Sequence, residues 1–352
     1  MTMDQEFSKI LRDWYRKNGR KLPWRDSIDA YKIWLSEIIL QQTRVDQGLP
    51  YFLKFIEAFP TVESLANAPI DKILRLWQGL GYYSRARNLH IAAKQVVQDF
   101  NGRFPSDFSE LKKLKGVGEY TAAAIASFAY NLPTPVVDGN VYRFLARFAG
   151  ISTPIDAVKG KKEFAQLASE LLDPAHASEH NQAMMEIGAL ICKPALPACD
   201  LCPFSMACHA FIYNSIDQLP VKEKKQKVRK RYFHYFFITN GKDTVIRRRN
   251  GKDIWEGLYE FPLLETNSEV LPSFEAEVLT PLKIKNITVI DSPHRIRHLL
   301  SHQELIAHFW MLKVNTLPVP GDDFIKVKMS DLTHYAFPQL IVRFLEIKKP
   351  KV

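Results

Sequence analysis

The sequence predicts a multidomain protein: an all-α region over residues 1–220, then a smaller α+β domain over residues 232–352. In the first region, apolar residues recur at helical spacing and are interrupted by breakers such as Gly79-Leu80-Gly81 and Pro133-Thr134-Pro135. In the second, runs such as YFHYFFIT and IAHFWMLKV are rich in aromatic and β-branched residues, which predict strands. All the cysteines lie in the first region, within residues 192–208.

Composition indicates a globular protein with an anionic partner. The 352 residues are 46% hydrophobic and 24% charged, with a formal net charge of +10. No apolar run approaches the roughly 18 residues that span a bilayer, and the amphipathic, acid-containing N-terminus is unlike a signal peptide. We therefore expect a cytoplasmic protein without a membrane partner. The positive charge favours nucleic acid as that partner.

Residues 221–231, VKEKKQKVRKR, separate the two regions. The segment has seven basic residues, one acid and almost no apolar side chains, a composition typical of a solvated connector. We predict a linker here, and its basic side chains could also contact phosphates.

The cysteine spacing, C-x6-C-x2-C-x5-C, predicts an iron–sulfur cluster. A disulfide framework is disfavoured in a reducing compartment, and structural zinc usually has two Cys-x-x-Cys pairs where this loop has one. Four thiolates on a compact loop suit a [4Fe-4S] cluster, and three prolines keep the loop from forming a helix. Zinc remains the alternative. The predicted ligands are Cys192, Cys199, Cys202 and Cys208.

A helical hairpin is predicted at about residues 106–130. Gly116-Val117-Gly118 forms its turn, and an alanine-rich helix begins at about Glu119. Glycine lets the backbone approach a phosphate closely, and the N–H groups at the start of a helix bind anions. A carboxylate, Asp138, follows in a short loop.

The order of hairpin, acid and thiol loop resembles the endonuclease III superfamily of helix-hairpin-helix DNA glycosylases. More specific motifs resemble the MutY family of adenine DNA glycosylases over almost the whole chain. These motifs are Leu22-Pro23-Trp24-Arg25, Ser36 to Thr43, Gly79 to Tyr83, Gly116 to Tyr120 and Asn181-Gln182-Ala183-Met184. The resemblance implies removal of adenine mispaired with 8-oxoguanine or guanine in double-stranded DNA, by base flipping, in base excision repair. It further implies a bacterial, nucleoid-associated protein, which we expect to act as a monomer.

Two carboxyl groups in opposite protonation states suit this reaction. Glu37 lies within the apolar helix IWLSEIILQQT, where burial would raise its pKa and keep it protonated as a general acid for N7 of adenine. Asp138, kept ionised, would stabilise the oxocarbenium ion. Leu40 and Gln41 fall on the helix face of Glu37, and Gln42 points elsewhere. The alternative is a core glutamate paired with an arginine.

The resemblance assigns further roles. It implies support of Asp138 by Tyr120 and Asn140, and phosphate contacts from Gly116, Val117 and Gly118. Gln42 and Tyr82 are implied as wedge residues, which enter the base stack when adenine leaves it. The implied adenine pocket consists of Trp24, Arg25, Leu40 and Gln182.

Other activities compete with this interpretation. Bifunctional relatives carry a Schiff-base lysine where this chain has Tyr120, so we predict a monofunctional glycosylase. The rivals are an endonuclease III-like lyase acting on oxidised pyrimidines and a non-catalytic iron–sulfur protein that binds DNA or senses redox state.

The C-terminal domain resembles the MutT-like (Nudix-fold) domain with which MutY proteins recognise 8-oxoguanine. Trp255 to Pro262 matches the usual opening of this domain, but no Arg-Glu with paired glutamates follows Gly257, so nucleotide hydrolysis is not expected. Ser301 and His302 match the family's Phe-Ser-His loop and are expected to contact DNA. Leu300 departs from that pattern, since leucine cannot stack as an aromatic ring does.

Overall fold

The computed structural model describes residues 3–223, 228–269, 287–317 and 323–348. The chain forms two compact units, Met1–Asn67 with Asn88–Lys225 and Ala68–Arg87 with Gln226–Val352. Residues 68–87, which belong by sequence to the helical region, thus pack with the second unit. Residues 224–227 of the predicted linker lie outside the described residues.

The first half of the chain is helical. Its helices are α1 Met3–Asn18, α2 Ala30–Leu40, α3 Val45–Ala58, α4 Val62–Ala66, α5 Ile70–Leu76, α6 Ser84–Phe100, α7 Phe108–Leu111, α8 Glu119–Tyr130, α9 Gly139–Ala149, α10 Val158–Leu171, α11 Ala177–Leu190 and α12 His209–Ile212. Helix α5 and the first residues of α6 belong to the second unit. Over the described residues, no helix is both long enough and apolar enough to cross a membrane.

The packing of the first unit brings four helices together. Helix α2 is buried around most of its circumference, as its nearly continuous apolar sequence requires, and it packs against α3 and α8. Helix α11 packs against α1, α8 and α9. A core that includes Phe7, Phe144, Phe164 and Met184 holds α1, α9, α10 and α11 in place. The ends of α2, α8 and α9 and one face of α11 consequently surround a common space.

The second unit is built on a mixed sheet. Its elements are β1 Arg229–Thr239, β2 Asp243–Arg248, β3 Tyr259–Glu260, β4 Leu263–Thr266, β5 Thr288–Val289, β6 His294–Leu299, β7 Gln303–Lys313, β8 Phe324–Lys328 and helix α13 Gln339–Lys348. The strand order is β3-β2-β1-β7-β5, with β4 also pairing β1, β6 pairing β7 and β8 pairing β2. Strands β1 and β7 run parallel, and the other pairs are antiparallel.

Strand β1 is the centre of this unit. Phe233, Tyr235 and Phe237 alternate along it, and Phe344 of α13 packs on Phe237 and Phe309, in the latter case with ring centroids 4.3 Å apart. The strand begins at Arg229, inside the segment assigned by sequence to the linker. The last residues of that segment are therefore part of a sheet.

Candidate active site

One cavity of about 690 Å³ in the first unit collects most of the residues selected from the sequence. It is lined by α2, the turn after it, the Gly116–Gly118 hairpin and the starts of α8 and α9, with one face of α11. The sequence-predicted residues around it are Trp24, Arg25, Glu37, Leu40, Gln42, Gly116, Gly118, Tyr120, Asp138, Asn140 and Gln182. Val117 is buried and is not part of the lining.

Glu37 is a buried acid that borders this cavity. Glu37 is 6% exposed, and the Tyr120 hydroxyl donates to its Oε2 at 2.7 Å. Burial raises the pKa of Glu37 to about 7; the charge of Asp138 acts in the same direction, while Tyr120 and Arg25 oppose it. Among the described residues, Glu37 forms no ion pair, so the arrangement is not that of a core glutamate paired with arginine.

Asp138 caps helix α9 and accepts three hydrogen bonds. Its Oδ1 accepts from the backbone N of Asn140 and of Val141, both at 2.8 Å, and its Oδ2 accepts from Asn140 Nδ2 at 2.9 Å. Burial raises the pKa of Asp138, and these bonds with the nearby Arg143 oppose that rise. Three donors and a helix N-terminus favour the ionised form of Asp138. The single bond from Tyr120 favours the ionised form of Glu37 less strongly.

The hydrogen-bond partner of Tyr120 differs from the predicted one. Asn140 bonds Asp138, as the resemblance implies, but the Tyr120 hydroxyl is bound to Glu37. Burial and the neighbouring Glu37 raise the pKa of Tyr120 well above its usual value, so the phenol remains a neutral donor.

Gln42 also differs from the sequence expectation. Helix α2 ends at Leu40, so Gln42 does not occupy a helix face; it adopts a φ of +57° in the turn that follows. In that turn it lines the cavity beside Glu37. The left-handed conformation is strained for a residue other than glycine.

Sequence reasoning missed Glu186, which anchors one wall of the cavity. Its carboxylate is fully buried and binds Arg20 Nε and Arg25 Nη2, each at 2.6 Å. These arginines hold the pKa of Glu186 at about 2, although burial alone would raise it. On the same wall, Tyr15 donates to Gln182 Oε1 at 3.1 Å. The available signal was an acid within the apolar helix sequence AMMEIGAL, the same signal that identified Glu37.

Arg143, also missed, links Asp138 to the cysteine loop. Its Nη2 donates to Asn140 Oδ1 at 2.9 Å and to Gly188 O at 2.6 Å, and its Nε donates to Cys192 O at 2.6 Å. Asn140 in turn donates to Asp138. The signal in the sequence was an arginine among the apolar residues of VYRFLARF, three residues after Asn140.

The hairpin has the geometry that its glycines predict. Gly116 has a φ of +79°, and a Cβ at this position would lie 2.8 Å from the Cβ of Asn88. Helix α8 begins at Glu119 with Gly118 as its N-cap and no side-chain cap. The first N–H groups of α8 are thus left for an anion.

The four cysteine thiols border one small cavity. Two 3-10 turns fold the loop back on itself, and Arg147 Nη1 lies 3.5 Å from Cys192 Sγ while donating to Lys193 O at 2.7 Å. Burial raises the pKa of the Cys202 thiol to about 11, so this thiol would ionise only with a bound cation to compensate. Among the described residues, no group of three or more His, Cys, Asp or Glu side chains is arranged around a single metal ion. Four thiols on one cavity are the type of donor set that binds a [4Fe-4S] cluster. The thiols are those of Cys192, Cys199, Cys202 and Cys208.

A second cavity, of about 320 Å³, lies within the second unit. The turn from Leu300 to Gln303 joins β6 to β7 and carries Ser301 and His302 at its tip, closed by a 2.8 Å bond from Leu300 N to Gln303 O. Tyr82, with a φ of +46°, faces this turn and its hydroxyl is hydrogen-bonded to that of Ser301. All of these residues line the cavity.

Sequence comparison connects both units with known proteins. A model for the "HhH-GPD superfamily base excision DNA repair protein" matches residues 35–174, and one for the NUDIX domain matches residues 234–346. An adenine DNA glycosylase of Buchnera aphidicola subsp. Baizongia pistaciae is 37% identical over 87% of this chain and 86% of its own. The adenine DNA glycosylase of Schizosaccharomyces pombe is 30% identical over 99% of this chain and 91% of its own.

Structural comparison agrees with these matches. A thermostable thymine-DNA glycosylase superposes with a TM-score of 0.55 at 27% identity, covering 60% of this chain and 97% of its own. An endonuclease III in a DNA complex gives 0.52 at 21% identity, covering 61% and 99%, and bears on the fold alone. The predicted fold class, a helical helix-hairpin-helix region with an α+β Nudix-like domain, is confirmed.

Proposed function

Because the chain belongs to the adenine DNA glycosylase family, we propose that it excises adenine opposite 8-oxoguanine or guanine in double-stranded DNA, as a monomer, in base excision repair. The observation that supports this most is the pair Glu37 and Asp138 on one cavity, with unequal hydrogen bonding. Hydrolysis of an N-glycosidic bond needs an acid at the base and a negative charge at the sugar.

In the proposed mechanism, adenine is first flipped out of the duplex into the cavity. Glu37, protonated near neutral pH, gives its proton to N7 of adenine while Tyr120 holds the other carboxyl oxygen. The bond from C1′ to N9 then breaks, and its electron pair stays with the base. Asp138 stabilises the positive charge left on the sugar, and water adds to C1′ with loss of a proton.

The surrounding residues would bind and orient the base. Trp24 is fixed by an edge-to-face contact with Phe52, with ring centroids 5.0 Å apart. The amide of Gln182 is oriented by Tyr15 on its oxygen and Ser178 on its nitrogen. A pre-oriented amide can bond the hydrogen-bonding edge of adenine with little loss of side-chain freedom.

Strand cleavage is not part of this function. The position that carries a Schiff-base lysine in bifunctional relatives is Tyr120 here, and its hydroxyl is bound to Glu37. A phenol cannot form the imine on which lyase chemistry depends.

A single-turnover assay of the native protein tests the function. The substrate is a labelled duplex with adenine opposite 8-oxoguanine, analysed with and without alkali. Strand breaks that appear only after alkali support a monofunctional glycosylase. Breaks without alkali support the lyase, and tight binding without base loss supports the non-catalytic alternative.

The pH dependence of base release follows from Glu37. Because burial raises its pKa to about 7, the protonated acid is abundant below that pH and is lost above it. The rate constant is expected to fall about tenfold per pH unit above 7. Single-turnover rates between pH 6 and about pH 9 measure this, and a flat profile would contradict the role of Glu37.

We also propose that the four cysteines hold a [4Fe-4S] cluster. Their thiols share one cavity, and Arg147 lies beside Cys192 to balance thiolate charge. A cluster held there would keep the loop folded, and Arg143 connects the loop to Asn140 and Asp138 through the hydrogen bonds described above.

Cys202→Ser is therefore expected to lower both iron content and thermal stability. The exposed Asp200→Asn in the same loop is the matched control and should leave both unchanged. Iron and inorganic sulfide are measured chemically on the purified chains. Zinc in place of iron in the native protein would refute the cluster.

The second unit is proposed to recognise 8-oxoguanine without hydrolysing nucleotides. Ser301 and His302 lie at the tip of a tight turn on a cavity that also holds Tyr82, the proposed wedge. Much of the stretch where a catalytic Nudix helix would follow, residues 270–286, lies outside the described residues. Its sequence lacks the paired glutamates of that motif.

A further inference from the structure

Beneath the turn that carries Ser301 and His302 lies a buried guanidinium. Arg231 of β1 is 7% exposed and makes five hydrogen bonds. Nε and Nη2 bind the two oxygens of Glu265 at 2.7 and 2.6 Å, and Nη1 and Nη2 bind those of Asp253 at 2.9 and 2.8 Å. The remaining N–H donates to Gln303 Oε1 at 3.1 Å.

These partners come from three different elements. Glu265 lies on β4, Asp253 lies in the loop after β2, and Gln303 is the first residue of β7. Gln303 closes the turn, and the backbone N of Arg229 donates to His302 O at 3.0 Å. The start of β1 thus holds the turn through both a side chain and the backbone.

The network is balanced in charge and closed to outside anions. Arg249 Nη2 also binds Asp253, at 2.5 Å, and Arg249 shares Glu260 with Arg247. Three arginines therefore face three carboxylates. Every N–H of the Arg231 guanidinium already has an acceptor. Although its sequence context is basic, Arg231 has no donor left for a DNA phosphate.

Asp253 and Gln303 connect this network to the recognition cavity. Both line the cavity together with Tyr82, Ser301 and His302. A bidentate pair fixes the direction of its partner as well as its distance. The position of the turn relative to the cavity wall therefore depends on the planar fork of Arg231.

We propose that Arg231 is a positioning residue for lesion specificity: it fixes the turn so that Ser301 and His302 meet 8-oxoguanine. This inference rests on the proposed function of the second unit. Lysine would keep the charge but cannot make two bidentate pairs, because its ammonium is a point charge. Arg231→Lys thus separates geometry from charge.

The test compares adenine opposite 8-oxoguanine with adenine opposite guanine. Dissociation constants and single-turnover rates are measured for native protein and Arg231→Lys on both duplexes. The preference for 8-oxoguanine in binding is expected to fall about tenfold, as loss of a charge-assisted hydrogen bond implies. The base-release rate opposite guanine at saturating enzyme should stay within about twofold, since the first unit is unchanged.

Arg295→Gln is the matched control, because Arg295, on β6, is an exposed arginine that is paired with Glu269. It should leave the preference at the native value. Gln303→Leu removes only the bond to the turn and should reduce the preference in the same direction; it decides the question if Arg231→Lys does not fold.

Results that contradict the inference differ from those that contradict the proposed function. A folded Arg231→Lys with the native preference overturns the inference, as does an equal loss on both duplexes, which would mark a general structural role. A native protein without any preference for 8-oxoguanine would instead overturn the proposed function of the second unit.

Discussion

Glu37→Gln is expected to lower the single-turnover rate of adenine release by about 10²- to 10⁴-fold, the range for loss of a general acid. Glutamine matches the shape of the acid and can still accept the 2.7 Å bond from the Tyr120 hydroxyl. Its amide has no acidic proton to transfer to N7. The measurement is single-turnover cleavage of the duplex with adenine opposite 8-oxoguanine.

The variant should be inactive but folded. Its thermal stability separates loss of the acid from loss of the fold. The pKa of Glu37 is raised from 4.5 to about 7, so the stability that the protonated carboxyl contributes is full below about pH 4.5 and is lost as the pH rises through 7. Above pH 7 the native chain keeps a buried charge at a cost of about 3 kcal/mol. At pH 8, Glu37→Gln should therefore unfold at or above the native temperature.

Glu170→Gln provides the matched control, because Glu170 is an exposed glutamate on α10. It should retain the native rate and the native pH profile. A Glu37→Gln protein that released adenine at the native rate would remove the acid from the mechanism.

Local signals in the sequence were sufficient for the hairpin and for much of the site. The start of α8 at Glu119 follows from Gly116 and Gly118, since glycine determines the turn with little help from distant residues. The burial of Glu37 follows from the apolar residues on every side of it in α2. Such features depend on neighbours within one or two helical turns.

Features that depend on distant partners could not be predicted. Glu37 and Glu186 have similar local sequences, but two arginines lower the pKa of Glu186 while none pairs with Glu37. The left-handed backbone of Gln42 could not be predicted, because the residue there is not a glycine. The burial of Arg231 needed the carboxylates of Asp253 and Glu265, which sequence alone does not place beside it.

Asp138→Asn is the second substitution with a large expected effect, about 10²- to 10³-fold on the single-turnover rate, as for removal of one electrostatic stabiliser. Asparagine is as good an N-cap as aspartate, so α9 should remain formed. The charge beside the developing oxocarbenium ion is lost. In addition, an amide nitrogen would face Asn140 Nδ2 where Asp138 Oδ2 now accepts at 2.9 Å.

Asp107→Asn tests whether the cap alone matters. Asp107 caps α7 through backbone bonds from Ser109 and Glu110, as Asp138 caps α9, but it is exposed and outside the cavity. This substitution should leave base release at the native rate. An equal loss in both variants would assign the effect to helix capping instead of charge.

The pH profile of Asp138→Asn then tests whether the charge of Asp138 acts on the protonation of Glu37. The charge of Asp138 raises the pKa of Glu37, so its removal should lower that pKa. The limb in which activity falls with rising pH should therefore move to lower pH in the residual activity of the variant. A limb that stayed at its native position would mean that Asp138 does not influence the protonation of Glu37. The two carboxyl groups would then contribute to catalysis independently.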